Sequence, residues 1–272
     1  MSRERVDSLR ARWRESAKQK GINPRDVDLL LADALGRSPS YLIAHGEEAV
    51  DPSPVETLLA RRFSGEPVQY IRGHVEFYGR RFVVDPRVLI PRPETELLVE
   101  SVLLRAPRGA SVIDIGTGSG CIAVTLKLER PDLRVLGTDL SPAALAVAAH
   151  NARSLAAHLP LLACNILDAL RGPVDVVVSN PPYIPSADVE LLQREVRLHE
   201  PRGALTPGAR GTETIELIFD AAGAALIFLE IGFGQEQEVR IAAAERGLQV
   251  LEVQNDLAGI PRVVVSSRHG WK

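Results

Sequence analysis

The chain has 272 residues, enough for one large or two modest domains, and its 45% hydrophobic and 25% charged residues are ordinary for a soluble fold. A net charge of −3 provides no global positive field of the kind nucleic-acid binding uses. Two cysteines, Cys121 and Cys164, without a CxxC spacing point to neither a disulfide framework nor a zinc site, and the lack of any run of about 18 apolar residues argues against a membrane span.

The first residues are Arg-rich but include Glu4, Asp7 and Glu15 and no apolar stretch, so neither a secretory signal nor a transit peptide is expected, and the chain reads as cytoplasmic. Residues 1–72 read as a small all-α bundle. Val6, Leu9, Trp13 and Ala17 recur at helical spacing, as do Val27, Leu30, Leu31 and Ala34. Asn23-Pro24 has the form of an N-cap followed by proline at the first helical position, and Asp51-Pro52-Ser53-Pro54 marks another start. Residues 73–93 read as a β-hairpin linker, with Val75, Phe77 and Tyr78 before Gly79-Arg80-Arg81 and Phe82, Val83 and Val84 after it. A proline-stiffened connector, Leu89-Ile90-Pro91-Arg92-Pro93, closes that segment.

From 94 to 272 strands and helices alternate. Strands are expected at 111–115, 134–138, 161–163, 174–179, 226–230, 249–253 and 262–266, with helices at 121–129, 142–156 and 235–246. Such alternation predicts an α/β, Rossmann-like domain, a parallel sheet covered by helices on both faces, with its ligand crevice at the carboxyl ends of the strands.

Chemistry collects at those ends. After the first strand comes Asp114-Ile115-Gly116-Thr117-Gly118-Ser119-Gly120. Glycines let the backbone turn sharply and approach a ligand, although a tight turn without a ligand has the same composition. The second strand ends at Asp139, whose carboxylate suits a ribose diol; Ser141 before Pro142 is the better helix cap, which leaves Asp139 to a ligand. Asn165 and Ile166 follow the third strand, either as an adenine contact or as an ordinary loop. The fourth strand ends in Asn180-Pro181-Pro182-Tyr183. Two prolines hold this turn stiff and extended and keep its carbonyls out of a ladder. The turn is either a rigid corner with Tyr183 as packing, or a grip on a planar NH2 group. His150, His158, His199 and His269 show no metal spacing, and Cys121 reads as a small packing residue.

A glycine loop, a ribose acid and an NPPY turn on strands one, two and four together look like an S-adenosylmethionine-dependent methyltransferase acting on a planar nitrogen. Further motifs narrow this. These are Pro67-Val68-Gln69-Tyr70-Ile71, Phe77-Tyr78-Gly79, Ile90-Pro91-Arg92-Pro93-Glu94-Thr95-Glu96, Glu195-Val196-Arg197, Glu200-Pro201-Arg202, Leu229-Glu230-Ile231-Gly232 and Asp256-Leu257-Ala258-Gly259. They resemble the peptide chain release factor N5-glutamine methyltransferase family (HemK/PrmC), and the resemblance runs from about residue 25 to the end. The resemblance implies a helical substrate-recognition domain, a hairpin, and a seven-stranded class I methyltransferase domain whose last strand is antiparallel. It implies S-adenosyl-L-methionine as cofactor, S-adenosyl-L-homocysteine as product and no metal. The implied partner is a class 1 peptide chain release factor, methylated on the glutamine of its GGQ loop by a monomer that binds neither membrane nor nucleic acid directly. Asn180 Oδ1 and the Pro181 carbonyl would then accept the two N–H groups of the target amide, with Pro182 shaping the turn and Tyr183 as a wall. Gly116, Thr117, Gly118, Ser119, Gly120, Asp139, Asn165, Ile166 and Asn180 would hold the cofactor.

The chain departs from the family in having Asn165 where an acid is usual, and in a short connection, Phe219 to Ala225, where the family has a longer one. Arg92 and Glu94 suit either the lip of the site or an interdomain salt bridge. Three other readings stay open at this point. An adenine-N6 type nucleic-acid methyltransferase would want a basic groove, a nucleotide-dependent oxidoreductase would want GxGxxG, and a non-catalytic binding module would not need Asn180.

Overall fold

The computed structural model describes residues 3–172, 174–223 and 226–268, so His269 and the last two residues before the fifth strand of the sheet lie outside the described residues. The chain divides into two units, Met1–Gly73 with Arg194–His199, and His74–Gln193 with Glu200–Lys272.

In the first unit a two-residue strand β1 (Glu4–Arg5) leads into α1 (Val6–Gln19), α2 (Pro24–Leu35), α3 (Pro39–Ala44), β2 (Ala49–Val50), α4 (Ser53–Phe63) and α5 (Val68–Arg72). The β1–β2 pair is an addition to the helical bundle that periodicity suggests. α1 buries Val6, Leu9, Trp13 and Ala17, the residues one helical face would carry. In α2 the Asn23 side chain accepts the Arg25 N–H, Pro24 occupies the first turn, and Gly36 takes the left-handed conformation that ends the helix. Leu30, Leu31, Leu42 and Leu59 form the centre of the core. An ion pair is buried with them. Arg62 gives Nε to Asp26 at 2.7 Å and pairs with Glu195 at 2.6 Å. That second contact belongs to the helical piece Arg194–His199, which explains why a segment far along the chain groups with this unit. The N-terminal arginines are neutralised locally: Arg5 pairs with Asp7, Arg12 with Glu4, and Arg10 and Arg14 with Asp28.

The second unit begins with the hairpin β3 (His74–Phe77) and β4 (Arg80–Val83), joined by Tyr78 and Gly79. Both turn residues have positive φ, 50° and 69°, as a two-residue hairpin turn demands, so the turn falls one residue earlier than the glycine and arginines suggest. Then follow α6 (Thr95–Arg105), β5 (Ser111–Ile115), α7 (Cys121–Glu129), β6 (Arg134–Asp139), α8 (Pro142–Ser154), β7 (Leu161–Ala163) and β8 (Val176–Ser179). After β8 come α9 (Arg194–His199, the piece already assigned to the first unit), α10 (Glu213–Ala221), β9 (Leu226–Glu230), α11 (Glu236–Glu245), β10 (Leu248–Asn255) and β11 (Pro261–Arg268). β8 starts two residues later than its apolar run because Asp175 turns aside to accept the backbone N–H and the hydroxyl of Ser111, each at 2.7 Å.

The seven strands run β10-β11-β9-β8-β5-β6-β7, parallel from β9 to β7, with β11 antiparallel to both neighbours. Alternate residues feed two cores. Val112, Val176, Val178, Phe228, Val263 and Val265 pack with α6, α7 and the hairpin. Ile113, Val177, Ile227, Leu229 and Val264 pack with α10 and α11. Near-continuous apolar strands are what a sheet covered on both faces requires.

Candidate active site

The crevice lies where the sheet order reverses, between β5 and its neighbours β6 and β8. A cavity of about 440 Å³ opens there, within the usual size range of small-molecule sites. Its wall includes Gly116, Thr117, Gly118, Ser119, Asp139, Asn165, Ile166, Asn180, Pro181 and Pro182.

The glycine loop is held from below. Thr117 donates to the fully buried Asp114 at 2.6 Å, and its N–H reaches the Thr138 carbonyl at 2.8 Å. Burial pushes the Asp114 carboxyl up to about 7. Gly116 and Gly118 have φ of 70° and 55°, where glycine is favoured; a side chain on Gly116 would project into open space, and one on Gly118 would meet only the Gly116 carbonyl at 3.9 Å, so the loop offers the cavity a bare backbone. Gly120 does not line the cavity. It allows α7 to lie against α8, since a Cβ there would come 3.1 Å from that of Ala148.

Asp139 is not free in the sense expected from sequence. Ser141 does cap α8, through the Ala144 N–H at 3.2 Å. Yet Asp139 Oδ2 accepts the Gly118 N–H at 2.9 Å and Oδ1 the Ser141 N–H at 2.8 Å. The carboxylate therefore ties the first strand-end loop to the second and still faces the cavity, with lone pairs to spare on both oxygens. Asn165 donates to Asp168 at 3.4 Å, which brings an acid next to the position where the family usually carries one. Ile166 has φ of 50°, a costly conformation for a β-branched residue, and it sits in the cavity wall.

Asn180 directly follows β8 and donates through Nδ2 to Thr95 Oγ1 at 3.1 Å. Its Oδ1 is buried without a partner. Tyr183 anchors the turn. Its hydroxyl points to Glu230 at 3.5 Å, and its carbonyl accepts from Gln235 at 2.8 Å. Burial pushes the phenol pKa up. Gln235 also accepts the Gly232 N–H at 2.9 Å, so one side chain fastens the turn after β8 to the loop after β9.

Two residues quoted above only as motif letters prove to be part of this apparatus. Thr95 and Glu230 are each 1% exposed. Burial first, and Glu94 after it, raise the Glu230 carboxyl to about 7, against the pull of the Thr95 hydroxyl and of Arg262. A glutamate closing the otherwise apolar strand Leu226–Glu230 is a signal that sequence does carry. Arg92 pairs with Glu200 at 2.5 Å, and Glu200 also accepts the Ile90 N–H at 3.2 Å. All three residues lie in the second unit, so this pair braces the proline connector from within that unit. Cys121 is inert, its thiol pushed up to about 12 by burial.

A family model described as "Methyltransferase small domain" matches residues 93–210, and one described as "PrmC N-terminal domain" matches residues 8–73. The Mtq2–Trm112 complex of E. cuniculi, described as responsible for methylation of the translation termination factor eRF1, superposes with a TM-score of 0.50. It is 24% identical and covers 67% of this chain and 99% of its own, a likeness of fold. The release factor glutamine methyltransferase of Neisseria gonorrhoeae is 45% identical over 81% of this chain and 84% of the relative. That of Geobacter sulfurreducens is 42% identical over 90% of each. With motifs, fold and near full-length identity in agreement, this chain belongs to the release factor glutamine methyltransferase family.

Proposed function

We propose that the enzyme transfers a methyl group from S-adenosyl-L-methionine to the side-chain nitrogen of the glutamine in the GGQ motif of class 1 peptide chain release factors, in support of translation termination. One observation carries the assignment of chemistry to residues: the unpartnered, buried Oδ1 of Asn180 beside a cavity floored by a bare glycine loop. A buried acceptor left open costs about 1–3 kcal/mol, a cost that an arriving N–H donor removes.

The residues present suit the cofactor. Gly116 and Gly118 leave room for a ligand against the backbone, Asp139 offers carboxylate oxygens to a diol, and Ile166 supplies an apolar surface. When bound, S-adenosylmethionine supplies a methyl carbon on a positively charged sulfur, whose C–S bond breaks as the new N–C bond forms. The chain's task is the nucleophile. An amide nitrogen is poor because its lone pair is shared with C=O. Asn180 Oδ1 and the Pro181 carbonyl, each accepting one N–H, aim the nitrogen and raise its electron density. No side chain has to remove a proton before attack, because the methylated amide loses its extra proton to solvent afterwards. Alignment of this kind supplies up to about 7–11 kcal/mol of the barrier.

The reading extends to domains. Residues 1–72 contact the release factor, 73–93 form the connecting hairpin, and 94–272 carry cofactor and chemistry. The enzyme acts as a cytoplasmic monomer, and light scattering at the mass of two chains would contradict that. The test of the reaction centre is Asn180→Ala, expected to lower kcat by about 10²–10³-fold, as removal of one hydrogen-bonding group acting in the transition state does. Mass spectrometry should find the methyl group on the GGQ glutamine. Full methylation by Asn180→Ala would overturn the role given to that residue.

A further inference from the structure

Asn180 can serve the target amide only if its own amide points the right way. The two ends of an asparagine side chain are nearly equal in size and opposite in function: oxygen accepts, nitrogen donates. Turned by 180°, Asn180 would set two N–H donors against the N–H groups of the incoming glutamine. Something in the protein must break this symmetry before substrate arrives.

We infer that Thr95 is a positioning residue that sets the direction of the Asn180 amide. The inference rests on the reading of Asn180 given above. The Thr95 oxygen has lone pairs to offer, and in the folded chain the nitrogen end of Asn180 fills them. That is the observed contact, Nδ2 to Oγ1 at 3.1 Å. The oxygen end is left buried and open.

The surroundings hold this pair still. Thr95 is the first residue of α6, and its backbone N–H is tied to the Arg92 carbonyl at 3.1 Å. The Tyr183 hydroxyl, 3.5 Å from Glu230, fastens the far end of the NPPY turn to β9. The Thr95 contact takes up the donor end of Asn180 and leaves its acceptor end for the substrate. A wrongly directed amide would leave a buried donor facing a donor, a mismatch that costs more than the loss of one hydrogen bond.

The test is a double-mutant cycle on the full chain, with a class 1 release factor and labelled S-adenosylmethionine. Thr95→Val keeps the size of the side chain and removes the hydroxyl. It should lower kcat between about 10- and 100-fold, while the KM for release factor and the cofactor affinity by calorimetry move less than about three-fold. Thr95→Ser, which keeps the hydroxyl, should recover most of the rate. In an Asn180→Ala background Thr95→Val should cost nothing further, because the amide it directs is gone. Equal loss in both backgrounds, or Thr95→Val at full rate, overturns the inference; Thr95→Ala is measured beside it to separate crowding from loss of the hydroxyl. Asn180→Ala at full rate overturns instead the reading of Asn180 on which the inference stands.

Discussion

Glu230 should make this enzyme less stable as pH rises, and the size of the effect can be worked from its surroundings. The residue is 1% exposed, and its Oε2 has no partner. Burial raises the carboxyl from its ordinary 4.5 to about 7. At roughly 1.4 kcal/mol per pH unit, that gap corresponds to about 3 kcal/mol against the ionised form. Below 4.5 both folded and unfolded chains hold the proton, and the penalty is absent. Between 4.5 and about 7 the unfolded chain has released the proton while the folded chain keeps it, so stability falls with rising pH. Above about 7 the folded chain ionises too, and the full penalty remains. Glu230→Gln keeps the shape and one acceptor and cannot ionise. Urea denaturation followed by circular dichroism should therefore find the variant close to the unsubstituted protein near pH 5 and more stable by about 3 kcal/mol near pH 8. Asp114, raised to about 7 by its own burial, titrates in an overlapping window, but it is present in both proteins, so the difference between them isolates Glu230. A difference that stays the same from pH 5 to pH 8 would refute the reasoning.

Asp139→Ala removes the acceptor of two backbone N–H groups and the proposed diol contact, and should weaken S-adenosylmethionine binding by about 1–3 kcal/mol in calorimetry. Unchanged affinity in a folded variant would take Asp139 out of the site. In the first unit, Ile43 on α3 is 69% exposed, an apolar side chain suited to contact with a protein. Ile43→Glu should leave stability within about 0.5 kcal/mol and cofactor affinity unchanged while raising the KM for release factor. An unaltered KM would count against that face. Substitution is a cleaner probe than deleting residues 1–72, because deletion would also strip Glu195 of its buried partner Arg62.

Much of the fold was readable before any coordinates, because it follows from local physics. Asn23-Pro24 starts α2 and Ser141-Pro142 starts α8 because each side-chain oxygen needs only an N–H two or three residues away. Seven strand positions follow from short apolar runs bounded by turn residues, and the glycine loop and the NPPY turn announce themselves through residues that few other conformations need. These are constraints within a few residues of one another, and the sequence by itself determined them. It also determined the family, through motifs spread along most of the chain.

Only the tertiary structure decided which of these residues meet. Thr95 and Asn180 are 85 residues apart, and Asn180 and Glu230 stand at the ends of neighbouring strands. Folding brought the Tyr183 hydroxyl to Glu230, and it put Asp139 to work on the backbone of Gly118. The helical piece Arg194–His199 carries no local sign that it belongs with the N-terminal unit; it does so through contacts such as that of Glu195 with Arg62. The reason is the same in each case. A hydrogen bond or buried charge chooses its partner by distance and desolvation in the folded chain, and neither quantity is written in the spacing of residues along it.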